Sequence, residues 1–99
     1  SGREIWVSAV ENNEVIGLVH SHLENGTSAW FHPYILRSHK KEYLSLVKLF
    51  LEWFNEHFPV EIQKLNAYIP TYAKKAYDVA ISAGFKDEGL NRMILPVGI

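Results

Sequence analysis

The chain has 99 residues, 47% of them hydrophobic and 21% charged, with a formal net charge of -1 at pH 7. That suffices for one small globular core, and it argues against bulk electrostatic attraction to nucleic acid or to a membrane. With no cysteine, disulfides, thiolate nucleophiles and thiolate metal sites are excluded, which fits a cytoplasmic location.

Ser1-Gly2 reads as the remnant of a cleaved tag, so the natural chain is expected to extend at this end; the 99 residues are expected to form a single domain. No signal peptide and no apolar run of membrane-spanning length is visible. Ile5 to Val10, rich in β-branched and aromatic residues, predicts a strand, Glu11 to Glu14 a turn and Val15 to Leu23 a second strand. Asn25-Gly26 is a hairpin signal, because both central residues of a type I′ turn need positive φ, and Thr27 to His32 is the third strand. With two-residue turns, His22 should face Ala29 and His20 should face Phe31. One sheet face then carries Ile5, Val7, Ala9, Ile16, Leu18, His20, His22, Ala29 and Phe31. The other carries Trp6, Val10, Val15, Val19, Leu23, Trp30 and His32. Both are largely apolar, so both should be covered by helices, by a second copy in a homodimer or by another partner. Gly17 in mid-strand predicts a bulge or a close backbone approach.

An extended segment from Trp30 to Leu36 enters a short basic bend, and a helix is predicted from Lys40 to Phe58. Free N–H groups at its start, with Arg37, Lys40 and Lys41 beside them, favour an anion such as a pyrophosphate. Lys41, Ser45, Lys48, Glu52 and Asn55 form one narrow polar stripe, so the helix should be packed on more than one side until Pro59 stops it. Ile62 to Ile69 is a fourth strand, and Pro70-Thr71 opens a second helix with Thr71 as N-cap. Ala73, Ala76, Tyr77, Ala80 and Ala83 give that helix a buried face, and Lys74, Lys75, Asp78 and Ser82 an exposed one. Gly84 is its C′ residue, and Phe85 to Leu95 holds a last strand broken at Gly89. The order β-β-β-α-β-α-β predicts a mixed α+β fold with one parallel pair in a mainly antiparallel sheet.

The chain has five histidines. The register puts His20 and His22 on one face and His32 on the other, with His39 in the bend and His57 at a helix end, so no metal site is predicted. His32 ends the strand that lines the presumed site, and an imidazole titrates near neutrality, which makes it the general-base candidate.

Two segments resemble the GNAT family of acyl-CoA-dependent N-acyltransferases. His32-Pro33, the basic bend and the helix to Glu52-Trp53 look like the family's strand, pyrophosphate loop and following helix. Ala67-Tyr68-Ile69-Pro70, the alanines of the second helix and Gly84-Phe85-Lys86-Asp87-Glu88-Gly89 through Arg92 look like its C-terminal motif. The wording is similar to short acetyltransferase-like proteins of phages and prophages. The resemblance covers nearly the whole chain and implies a GNAT-like sheet with a central apolar helix, lacking the family's N-terminal strand and two helices. It implies acetyl-CoA as cosubstrate, an unidentified amine as acceptor and a cofactor loop at Ile35, Leu36, Arg37, Ser38, His39, Lys40, Lys41, Glu42 and Tyr43. Lys40 and Glu42 replace the loop's two small residues, and Ala73 and Ala80 replace the family's asparagine and tyrosine. That tyrosine is the usual acid for the departing thiolate; Tyr77, one turn earlier on the same face, is the substitute. These replacements leave a second expectation open, a non-catalytic GNAT-fold binding or phage accessory module.

Overall fold

Three β-rich segments with tight turns between them form the N-terminal meander. In the computed structural model, which describes residues 4–57, 62–70 and 72–97 (Asn25 by its backbone alone), the strands are β1 (Glu4–Glu11), β2 (Glu14–Asn25) and β3 (Ser28–Ile35). A 3₁₀ turn (Arg37–Glu42) leads into α1 (Tyr43–His57), followed by β4 (Lys64–Tyr68) and α2 (Lys74–Ser82). β5 (Lys86–Asp87) and β6 (Arg92–Pro96) complete a six-stranded sheet in the order β1-β2-β3-β4-β6-β5. Among the described residues only β3 and β4 run parallel, as the strand–helix–strand pattern predicts. Ser1-Gly2, Phe58, Pro59 and Thr71 lie outside the described residues, but α2 begins at Lys74 with Ala73 as its N-cap, so the expected cap at Thr71 is not the one used.

The predicted register fails in one strand. β1 and β2 pair Val10 with Val15 but Ala9 with Gly17, so Ile16 is an extra residue; β2 and β3 pair Asn25 with Ser28 but Leu23 with Ala29, so Glu24 is another. Each bulge shifts the pairing by one residue, and a one-residue shift turns side chains to the opposite face. Between the two bulges β2 is therefore inverted: Val19, Ser21 and Leu23 join Ile5, Val7, Ala9, Ala29 and Phe31 on one face. His20 and His22 join Trp6, Trp30 and His32 on the other. The turn beyond Glu24 centres on Gly26-Thr27, and Gly26 lacks the positive φ that a type I′ Asn25-Gly26 turn requires. The left-handed pair is Asn12-Asn13 instead (φ 52° and 67°), between β1 and β2.

Both helices lie on the first face. Val47, Phe50 and Phe54 of α1 and Ala80 of α2 share one core with Val19, Ala29, Phe31, Leu65, Ala67, Phe85 and Met93, and the Phe31 and Phe54 rings meet edge to face at 5.8 Å. The predicted polar stripe of the long helix is exposed, but so is Leu49, so α1 is covered only toward the sheet and α2. The helix starts at Tyr43 rather than Lys40 because His39 (φ -114°, ψ 22°) breaks the α geometry. α2 has the predicted alanine face, and Gly84 (φ 105°) closes it as C′: its N–H reaches Ile81 O at 3.0 Å and that of Phe85 reaches Ala80 O at 2.9 Å, a Schellman pair. The expected last strand is a hairpin. Leu90 and Asn91 take left-handed φ of 55° and 65°, and Asp87 Oδ1 accepts the Gly89 N–H at 2.8 Å. Among the described residues no helix is long and apolar enough to cross a membrane.

Gly17 meets the close approach its position predicts. A Cβ there would lie 2.9 Å from Ile35 Cδ1 and 3.2 Å from the Tyr34 carbonyl oxygen. Gly17→Ala should therefore lower stability by about 1–3 kcal/mol, the range for overpacking, read as a lower urea midpoint at unchanged m-value.

Candidate functional site

The site begins where β3 and β4 part. Their parallel pairing covers Ser28–Trp30 against Lys64–Asn66 and stops there. Backbone groups alternate sides along a strand. Leu36 N–H reaches Ile16 O at 2.9 Å and Ser21 Oγ donates to Trp30 O at 2.6 Å, so the even residues of β3 turn toward β2. The odd ones turn toward β4, where Asn66 Nδ2 donates to Ala29 O at 3.4 Å. Beyond the fork, the carbonyls of Phe31 and Pro33 and the N–H of Ile35 thus face a gap with no strand opposite among the described residues. Pro33 is tolerated in the strand because its missing donor points into that gap.

A cavity of about 220 Å³ fills the gap. Consecutive residues of both strands line it, Phe31 to Tyr34 on β3 and Ala67 to Pro70 on and after β4. Since successive side chains point to opposite faces, the cavity passes through the plane of the sheet. Tyr43, Val47, Ala76, Val79 and Ala80 close it on the helix side. His32, Tyr34 and Tyr68 belong to the open side.

His32 stands in a ladder of rings on the open face. Trp6 stacks on His20 at 4.2 Å, His20 on His32 at 6.0 Å, and His22 lies 5.8 Å from His32 and 6.4 Å from Trp30. His20 Nε2 donates to Glu4 Oε1 at 2.7 Å. Burial, and then the neighbouring His22 and His20, lower the pKa of His32, so it is neutral at neutral pH. The inverted β2 has thus brought together three histidines that the expected register separates. Their rings stack rather than converge, and no cluster of three histidine, cysteine or carboxylate side chains among the described residues could hold a metal ion.

The bend lies at one end of the gap. Leu36, Arg37, Ser38, Lys40, Lys41 and Glu42 are exposed and His39 is half-buried. Arg37, Lys40 and Lys41 make no ion pair among the described residues, whereas Glu42 Oε1 is held by His39 Nδ1 at 3.0 Å. Tyr43 N–H is already bonded to Lys40 O, so the donors expected at the start of α1 are partly used within the 3₁₀ turn. Ile35 and Tyr43 flank the bend differently. Tyr43 lines the cavity and packs against the core, on the same α1 stripe as Val47, Phe50 and Phe54. That spacing was the signal for its placement. Tyr77 does not reach this cavity. Its hydroxyl donates to Asp87 Oδ2 at 3.1 Å, a bond that raises its pKa, and it lines a second cavity with Ile69 and Leu90. Asn66 escaped notice in the sequence: fully buried at the root of the fork, it leaves Oδ1 without a protein partner among the described residues.

No protein-family model and no curated protein sequence matches the chain. Solved structures do. Spermidine N-acetyltransferase from Vibrio cholerae, in complex with CoA and spermine, superposes with a TM-score of 0.82 at 20% identity, covering 95% of this chain and 66% of that one. Aminoglycoside acetyltransferase AAC(6')-Ib, with coenzyme A and kanamycin, gives 0.78 at 16% identity, over 94% and 66%. Tetrahymena GCN5 gives 0.69 at 16%, over 95% and 68%. The chain has the GNAT fold. It spans about two thirds of the length of these GNAT-fold proteins.

Because folded His32 resists protonation, the unfolded chain binds more protons once the pH drops below the ordinary histidine value of 6.5. This contribution to stability is complete above that value and is lost as the pH falls toward and through the depressed one. Thermal melts from about pH 7.5 to 5 should show a steeper loss of Tm for wild type than for His32→Asn. Parallel curves would contradict the assigned environment.

Proposed function

We propose that the chain transfers an acetyl group from acetyl-CoA to an amine. The observation that carries this reading is the cavity that crosses the sheet at the fork and is lined from both faces. Two substrates must meet at one point yet enter separately, and holding them there supplies much of the rate of such a transfer. The fork offers that geometry. The amide-bearing thioester arm of coenzyme A would lie along the unpaired edge of β3, whose Phe31 and Pro33 carbonyls and Ile35 N–H can pair with it as a strand would. Its pyrophosphate would rest on the bend from Ile35 to Tyr43, where Arg37, Lys40 and Lys41 make no ion pair among the described residues. The lack of small residues at positions 40 and 42 is eased because His39 draws the Glu42 carboxylate to itself. The amine would enter from the open face, where neutral His32 takes its proton. Two of the GNAT-fold structures were solved with coenzyme A and a second compound, spermine or kanamycin, which supports a two-substrate cleft.

Calorimetric titration with coenzyme A tests this reading. Wild type should bind, and Arg37→Ala should lose about 1.5–3 kcal/mol, the worth of a charged hydrogen bond. Equal affinities would remove the bend from the site, and no binding by wild type would overturn the reading.

A further inference from the structure

We propose that Tyr43 is the catalytic acid that protonates the departing thiolate, a role that rests on the acetyl-transfer reading above. Among the described residues four titratable side chains line the cavity: His32, Tyr34, Tyr43 and Tyr68. Tyr34 and Tyr68 are 57% and 58% exposed on the open side, where water competes for their hydroxyls. Tyr43 is half-buried on the helix side, and its hydroxyl makes no hydrogen bond among the described residues. Across the cavity, α2 presents only Ala76, Val79 and Ala80. Small side chains on that wall leave room for a phenol supplied from α1. Tyr77, the tyrosine that α2 does carry, is engaged by Asp87 outside this space. A phenol carries its proton at neutral pH, and burial, which raises the Tyr43 pKa, keeps it there.

His32 and Tyr43 thus approach the gap from opposite faces of the sheet. The amine nitrogen attacks the thioester carbonyl carbon, the C–N bond forms and the C–S bond breaks. His32 takes one proton from the nitrogen, Tyr43 gives its phenolic proton to the sulfur, and the products are an amide and a free thiol. Proton exchange with water then returns His32 to the neutral form and Tyr43 to the phenol.

The test compares wild type, Tyr43→Phe and Tyr77→Phe with acetyl-CoA and a panel of primary amines (spermidine, kanamycin and a lysine peptide). Phenylalanine keeps the ring that packs on the core and removes only the hydroxyl. Tyr43→Phe should lower kcat about 10²–10⁴-fold, the usual range for a positioned acid, and abolish the alkaline limb of the kcat profile. A second readout needs no turnover. Wild type should bind coenzyme A roughly 2- to 12-fold more tightly than desulfo-coenzyme A, the worth of one ordinary hydrogen bond to sulfur, and Tyr43→Phe should bind the two equally. A Tyr43→Phe enzyme with wild-type kcat, or a loss confined to Tyr77→Phe, overturns this role while leaving acetyl transfer intact. A wild type that binds no coenzyme A overturns the acetyl-transfer reading and this role with it.

Discussion

The separation of β3 from β4 after Trp30 and Asn66 is the constraint on which the site depends. Backbone N–H and C=O groups that lose a strand partner and stay buried cost about 1–3 kcal/mol each. A gap that leaves two carbonyls and an N–H of β3 unpaired persists only where water or a ligand can meet them. Pro33 writes this into the sequence, because a β4 strand continued alongside it would face a position with no donor. Phe31 and Ala67, buried on the helix side of the fork, keep the two strands joined to one core while their ends diverge. Asn66 adds a cost of its own, a fully buried amide whose oxygen lacks a protein partner among the described residues. An unsatisfied buried group of that kind calls for a structural or functional explanation.

The sheet was legible in its strands and its one parallel pair, but not in which way β2 faces. Alternation cannot decide that, because Val19, Leu23, His20 and His22 allow either face to be called apolar. The choice is made by bulges at Ile16 and Glu24, and a bulge leaves no mark in composition. Glu24 finds a reason in the fold: its carboxylate accepts the Ser28 hydroxyl at 3.2 Å across the turn. The consequence reaches the chemistry. In the expected register His32 stands apart from His20 and His22; in the structure their rings lie 6.0 and 5.8 Å from it and add to the burial that lowers its pKa.

The helices were more legible, since a 3.6-residue period over fifteen residues is redundant and a local break cannot erase it. The alanine face and the Gly84 cap followed from residue type alone. What failed were single backbone conformations. Leu90 and Asn91 adopt φ values that sequence assigns to glycine, which turned one expected strand into a hairpin. His39 breaks the helix start and converts its first turn to 3₁₀. Tyr43 was read as part of the bend alone, although its spacing to Val47 and Phe50 also fits the core stripe. Only the structure shows that the second placement governs its side chain.

That double position of Tyr43 ties the two ends of the proposed site together. It is the residue on which the bend ends and α1 begins. An anion seated on Arg37, Lys40 and Lys41 would therefore order the backbone that carries the phenol into the cavity. Binding energy gained at a group remote from the reacting carbon would be spent on holding the acid in place, which raises the rate of the chemical step rather than merely tightening substrate binding. His32 is held differently, in a stacked ladder of rings on the open face of the three-stranded meander. In the proposed reaction the base would be preorganised by the sheet and the acid by its partner substrate, and a site divided in this way would gain its full arrangement only with the thioester bound.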